Sequence, residues 1–460
     1  MIGEASSTFE EGLELAPAAQ YVRAATLEGL VALDPAGQVV PAIAERWIVT
    51  DDGLSYIFRL RDSNWPDGDP ITGEAVRTLL AEAISAQKDT ALGFDLAKIR
   101  DVRAMTGRVI EIRLTSPMPE FLRLMAQPEL GFIKSGSGAG PMVLSRDEDA
   151  PLARLSALPP ESRGLPARED WEENANNLTV QAMPATPALE GFSGGEIDLV
   201  LNGRLWSFPQ VELGPLSRGT IQLDPARGLF GFAFTNDDGL LADPERREAL
   251  SMAIERSQLV AAFGISGWQS SSWIIPPELF PQLAPAQDRW PELTLEQRQS
   301  IAARRIAQWE NDSDEPVELL VALPAGPGAV LLYRQLARDW RAIGVTATRV
   351  EPGEPADLVV IDRVARYSSP RWFLNQFHCV LENALCSAEA DKLVADSLAV
   401  SDPLAKERIL AEAQSILLEE EVFIPLGAPV RWSLVRGAID AYEPNIWGLH
   451  PLFPLSQPPI

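Results

Sequence analysis

Two cysteines and two histidines in 460 residues leave little material for metal ligation or nucleophilic chemistry. Cys379 and Cys386 stand seven positions apart, neither has a C-x-x-C partner and only His378 is near, so the spacing fits no zinc site and no metal is expected. Their segment has turn-like composition, and both a small disulfide loop and two free thiols are compatible with it. Basic residues are also scarce: 39 Lys and Arg against 65 Asp and Glu give a formal charge of -26. Such a surface repels nucleic-acid phosphates and anionic lipid, which excludes both as partners. No stretch approaches the ~20 apolar residues that cross a bilayer. Gly3, Glu4 and two serines follow Met1 where a basic and apolar leader would stand. Either the chain is cytoplasmic, or a leader has been removed. Walker-type, H-E-x-x-H and dinucleotide glycine motifs are missing, and no cofactor is expected.

What is present is an ordinary globular composition, 46% hydrophobic and 23% charged. The length exceeds the ~250 to 300 residues at which one core stops growing, which predicts at least two lobes and a cleft suited to a ligand. Tyr56, Phe58 and Leu60 alternate with Ile57 and Arg59 as in a half-buried strand. Thr72 then caps a helix whose apolar face is Val76, Leu79, Leu80, Ala83 and Ile84. Asp243-Pro244 and Asp402-Pro403 each read as an N-cap followed by proline at the first helical position. The second opens a helix with Ile409, Leu410, Ala413, Ile416 and Leu417 inward, before a strand-like Val422 to Ile424. Tyr333, Leu336, Ala337, Trp340 and Ile343 form another helical face, closed by Gly344 and followed by a strand over Val345 to Val350. Helix then strand, repeated, predicts an α/β lobe.

Gly29 to Trp47, with Asp51 to Arg61 and Trp65-Pro-Asp-Gly-Asp-Pro-Ile-Thr72, resembles the signature region of the peptide and nickel solute-binding proteins of ABC importers (family 5). Gly194 to Val200, Phe234-Thr-Asn236 leading into Asp243 to Val260, Leu336 to Val350 and Pro403 to Leu426 match further blocks in order. The resemblance implies an α/β, periplasmic-binding-protein-like fold of class II, cluster C type, with two lobes, an extra small domain and a hinged cleft. It places a discontinuous lobe I at 1–30, 137–234 and 427–460, an inserted domain at 31–136 and lobe II at 235–426. It implies a monomeric binder that captures a solute and delivers it to a permease and its ATPase, located in the periplasm or as a cell-surface lipoprotein with its leader absent from the sequence. Dipeptide-binding relatives carry a cysteine pair in the loop that holds Cys379 and Cys386, so the resemblance favours a disulfide there.

Two motifs offer enzyme chemistry instead. Gly191-Phe-Ser193-Gly-Gly195 satisfies G-x-S-x-G, but a nucleophile elbow needs a strand before the serine and a helix after it. Here a strand-like Glu196 to Val200 follows, which predicts a glycine turn entering a strand. The available bases, His378 and His450, fall in a loop and a C-terminal tail. Ser85-Ala-Gln-Lys88 matches S-x-x-K near a helix end, with no K-T-G anywhere. No enzyme is expected. The competing readings are a sensor or scaffold on the same fold, a serine hydrolase using Ser193, and a metal-chelate binder.

Asp362 to Leu374 aligns with the family pattern W-x-A-D-Y-x-x-P-x-x-F-L, in which the Asp pairs a peptide's ammonium group. Arg366 stands at that position and Arg363 at the Trp. A guanidinium cannot hold an ammonium, but its planar fork suits carboxylate or phosphate. The candidate ligand-binding residues are therefore Arg366 and Arg363, with Ala365, Tyr367 and Trp372 beside them and Asn236 and Trp432 at the two lobe crossovers. The alternative is that the arginines serve internal ion pairs with residues such as Asp362.

Overall fold

The structure, a computed structural model, describes residues 1–13, 15–146, 151–211, 219–283, 285–313 and 317–456. It divides into two compact units. Unit 1 comprises Met1–Gly203, Leu213–Pro225 and Arg431–Ile460, and unit 2 comprises Arg204–Glu212 and Ala226–Val430.

Unit 1 carries an antiparallel four-stranded sheet in the order Ala44–Val49, Ser55–Leu60, Val109–Leu114, Ile99–Ala104. Tyr56, Phe58 and Leu60 are buried along one face of their strand while Arg59 is exposed on the other, as a period of two requires. The helix Gly73–Ala86 packs on this sheet, and the Thr72 hydroxyl accepts from the Ala75 amide at 3.2 Å. Val76 and Leu80 are fully buried, whereas Leu79, Ala83 and Ile84 are half-buried. A second antiparallel sheet, Met142–Arg146, Leu152–Ala157 and Leu178–Gln181, shares a core with the helix Pro17–Thr26 and the C-terminal helix Leu452–Leu455. A third joins Leu199–Arg204, Arg431–Val435 and Ile221–Asp224.

Two readings of unit 1 need correction. Gly191 to Gly195 is not a turn entering a strand: it forms the end of the helix Ala185–Gly194, which closes on Gly195 at φ +88, a left-handed position that glycine takes without strain. The strand begins at Leu199, and Ser193 lies exposed on the last helical turn. His450 is no loose tail residue but is buried, its Nε2 3.1 Å from Asp224 Oδ2 and 3.4 Å from the Tyr442 hydroxyl. The Asn445 side chain and the Tyr21 hydroxyl complete this polar cluster.

Unit 2 is built on a mixed five-stranded sheet in the order Thr346–Val350, Glu318–Ala322, Leu358–Val364, Gly228–Phe234, Phe423–Gly427. The first three strands run parallel and the last two pairings are antiparallel. Gly228–Phe234 is buried at every position, the pattern of a central strand covered on both faces. The helix Pro327–Arg341 buries Leu336 and Trp340 completely, with Ile343 buried just past its end. Asp243 accepts from the Glu245 amide at 2.9 Å and Asp402 from the Ala405 amide at 2.7 Å, capping the helices Pro244–Met252 and Pro403–Glu419. Ala413 and Leu417 are buried on the latter, and Ile409 and Ile416 flank them half-buried.

Candidate functional site

Ligands of open α/β sheets gather beyond the carboxyl ends of the parallel strands, where loops of free geometry leave a rigid frame. In unit 2 the strand Leu358–Val364 ends in such a segment and runs through Arg366 into the short helix Pro370–Asn375. The Ala365 amide extends the ladder by donating to the Arg227 carbonyl at 2.7 Å. Tyr367 is completely buried, and the Ser369 amide donates to its carbonyl at 3.0 Å, so the bend is anchored on both sides of Arg366. Trp372 is buried with its ring edge-on to Phe373, centroids 5.0 Å apart. Arg371 reaches the Val394 carbonyl and, at 2.9 Å, the Ser397 hydroxyl, tying the helix down.

Successive strand residues face opposite sides of the sheet, and this separates Asp362 from Arg363. The Arg363 Nη1 donates to the Gln376 side-chain oxygen at 2.9 Å, and Gln376 Nε2 in turn donates to the Trp372 carbonyl at 3.0 Å. Asp362 lies opposite Phe230 in register and 3.7 Å from Arg204 Nη1. Beyond Phe230 runs a chain of aromatic contacts: its ring lies 5.7 Å from Trp206 and 5.9 Å from Trp268, and Trp268 lies 5.5 Å from Phe263. The Trp268 indole donates to the Ala428 carbonyl at 2.8 Å. Arg204, Gln376, Trp206 and Trp268 were invisible as site residues in the sequence, since each reaches this end of the sheet from a segment with no motif of its own.

The structure thus brings Arg363, Ala365, Arg366, Tyr367 and Trp372 together, with Arg366 half-buried among them. It does not bring Asn236 to them. Gly228 pairs with Val364 and Phe234 with Leu358, so Asn236, two residues past Phe234, lies at the other end of a strand about 20 Å long. There its amide nitrogen donates to Asp357 Oδ1 at 3.1 Å while its oxygen accepts from the Asp238 amide at 3.2 Å. Asp357 Oδ2 accepts from the Leu320 amide at 2.7 Å, so the pair ties the end of one strand and the start of another to the middle of the strand Glu318–Ala322. Trp432 belongs to unit 1, is wholly buried, and packs over the backbone of Gly203.

Cys379 and Cys386 form a disulfide with their Cα atoms 5.2 Å apart, closing the loop that follows the helix Pro370–Asn375. Asp391 accepts from the Cys379 amide at 3.0 Å and lies 3.6 Å from His378 Nδ1; burial pushes its carboxyl above the ordinary value against the pull of that bond and of His378. Among the described residues no group of three His, Cys, Asp or Glu is placed to hold a metal ion, and no helix is long and apolar enough to cross a membrane.

The sequence pattern of "Bacterial extracellular solute-binding proteins, family 5 Middle" matches residues 38–378. A probable di/tripeptide-binding protein 5 of Pseudomonas aeruginosa is 25% identical, over 90% of this chain and 86% of that protein. Among solved structures, Haemophilus influenzae OppA in complex with the peptide RPPGFSPFR superposes with a TM-score of 0.80 at 17% identity, covering 98% of this chain and 97% of that one. The Escherichia coli murein tripeptide binding protein MppA gives 0.79 at 18% identity, over 99% and 96%. These likenesses establish the two-lobed periplasmic-binding-protein fold, and the chain belongs to the bacterial extracellular solute-binding proteins of family 5.

Proposed function

We propose that this protein is the extracytoplasmic solute-binding component of an ABC importer, and that its solute presents a carboxylate or phosphate to Arg366. The protein performs no chemistry. It binds, and the bound form is what the permease and its ATPase accept. The observation that carries the ligand class is the basic pair Arg363 and Arg366 in the segment that resembles the family pattern W-x-A-D-Y-x-x-P-x-x-F-L. Arg366 sits in a bend fixed by the buried Tyr367 and by the Ala365 amide, just past a parallel strand end. A side chain carried on a fixed bend loses less freedom on gripping an anion, and the fork geometry of a guanidinium suits a bidentate contact. Arg363 is set by Gln376, and we assign it a supporting part: it adds positive field and fixes the position of the bend. Tyr367 and Trp372 supply the apolar packing beneath.

Relatives named for di- and tripeptides give the reading its alternative substrate, since a peptide carries both an ammonium and a carboxylate. The test is a thermal-shift and calorimetric screen of the wild type and Arg366→Ala against short peptides, N-acetylated peptides, peptide amides and phosphorylated sugars. Ligand that binds only the native state raises the melting temperature by mass action. Binders that keep a free carboxylate or phosphate, tolerate N-acetylation and lose at least roughly tenfold in affinity in Arg366→Ala support the proposal. Binding that demands the free ammonium and survives the substitution overturns it.

A further inference from the structure

Unit 1 contains a cavity of about 1210 Å³ that plays no part in the solute reading above. It is bounded by the helix Pro17–Thr26, by the segment from Arg61 to Pro66, and by the loops around Ile133 to Leu144 and Leu158 to Arg163. Four arginines line it, and three of them, Arg23, Arg61 and Arg163, are short of acceptors. Arg61 is buried; its Nη1 donates to Glu28 Oε2 at 2.6 Å and its Nη2 to the Ala139 carbonyl at 2.8 Å. Arg163 Nη2 donates to the other oxygen of the same carboxylate at 3.1 Å. One buried carboxylate therefore serves two guanidiniums, and the trio keeps an excess positive charge. Arg23 has a hydrogen bond of 3.4 Å to the Glu129 carbonyl. The Nε of Arg23, Arg61 and Arg163 and the indole nitrogen of Trp65 are all buried donors without an acceptor. Buried donors are ordinarily satisfied, and these four belong to residues that line the cavity.

Of the four acids on the lining, Glu10, Glu11 and Asp62 are already engaged, and Glu161 is exposed. Glu11 pairs with Arg146 at 3.6 Å, Asp62 with Arg108 at 3.4 Å, and Glu10 accepts from the Ala16 amide at 2.5 Å. A second feature points to the rest of the ligand. Ile133 and Val143, 46% and 51% exposed, are among the few large apolar side chains the surface leaves uncovered, and both line this cavity. Apolar surface left uncovered beside a polar floor is the usual make-up of a small-molecule site.

We propose that this cavity is a second binding site, taking an amphiphilic molecule whose carboxylate or phosphate head meets Arg23 and Arg163 and whose apolar body lies along Ile133 and Val143. The site is independent of Arg366. Arg163, stacked over the Phe453 ring at 4.7 Å and only half-buried, is the donor best placed to turn toward a ligand. Arg61, with three hydrogen bonds, is the fixed element that holds the positive charge in place.

The probes are octanoate and octyl phosphate, with octanol as the uncharged control and inorganic phosphate as the tail-less one, measured by calorimetry on the whole chain. Binding of octanoate or octyl phosphate that exceeds both controls, weakens roughly tenfold or more in Arg163→Gln or Arg23→Gln, and persists in Arg366→Ala supports the site. The two probes together tell a carboxylate head from a phosphate head. Val143→Asp, an exposed position that leaves the core untouched, is expected to weaken both probes and guards against a folding defect in the arginine variants. Equal binding of octanol, no binding of either charged probe, or loss in Arg366→Ala with none in Arg163→Gln overturns the proposal. Because Arg366→Ala is scored separately against the peptide and sugar-phosphate panel, failure of this site leaves the reading of Arg366 to stand or fall on its own.

Discussion

The Trp432 indole lies directly on the backbone of Gly203, so closely that a Cβ built on that glycine would fall within the ring. Both residues sit in the three-stranded sheet of unit 1, and Trp432 has no exposed surface. Glycine is required here by space and not by backbone conformation. Gly203→Ala is expected to lower the unfolding free energy of this unit by about 1 to 3 kcal/mol through overpacking. Adding Trp432→Phe should restore part of the loss, because the smaller ring vacates the contested volume. Urea denaturation followed by tryptophan fluorescence measures both; an unchanged midpoint in Gly203→Ala would show that the sheet yields freely.

Asn236 is placed to hold strand ends together. Its bonds go to Asp357 and to the Asp238 amide, at the end of the sheet opposite Arg366. Asn236→Ala should lower stability by about 1 kcal/mol and leave the affinity of any solute that depends on Arg366 within twofold or so. A calorimetric titration beside a melting curve separates the two effects, and an affinity loss comparable to that of Arg366→Ala would contradict this placement.

The Cys379–Cys386 bond closes a short loop, which in the chain-entropy account restricts the unfolded state modestly. Reduction, or the double change to serine, is expected to cost about 2 to 3 kcal/mol in the melting of unit 2. The Cys379 amide would keep its bond to Asp391, so the effect should be felt in stability and hardly in solute affinity. Calorimetric scans with and without reductant provide the comparison.

Glu248 illustrates how neighbours can overturn the effect of burial. Burial alone would raise its carboxyl, but Arg305 at 2.7 Å and the Trp290 indole at 3.1 Å hold it below the ordinary value of 4.5. A carboxyl depressed in the folded state stabilises above its unfolded value and loses that contribution as pH falls through the folded one. Stability of unit 2 should therefore decline on acidification below about pH 4.5, and Glu248→Gln should flatten that limb while lowering the plateau at neutral pH. Denaturation midpoints from pH 3 to 7 test this, and a limb of unchanged steepness in the variant would assign the acid sensitivity elsewhere.

Helix starts at Thr72, Asp243 and Asp402 were legible because capping is a contract between residues two or three apart. The buried alternation of Tyr56, Phe58 and Leu60 was legible for the same reason, as the pleat imposes it wherever the strand lies. The reading failed at Gly191 to Gly195, where glycines suggested a turn and the chain continued as helix to Gly194. Burial of Phe192 and Gly191 and the closing position of Gly195 favour that ending, and both depend on tertiary packing. It failed again at His450, whose burial depends on Asp224, more than two hundred residues earlier.

Within the candidate site the division is the same. The sequence by itself determined the family, the cap and strand signals, and the presence of two arginines, Arg363 and Arg366, in the segment Asp362 to Leu374. Only the tertiary structure decided that Arg363 is held by Gln376, that Asp362 faces Arg204, and that Asn236 stands a strand length away. Local chemistry is written in local spacing, whereas the partner of a buried charge is chosen by the packing that brings distant segments together.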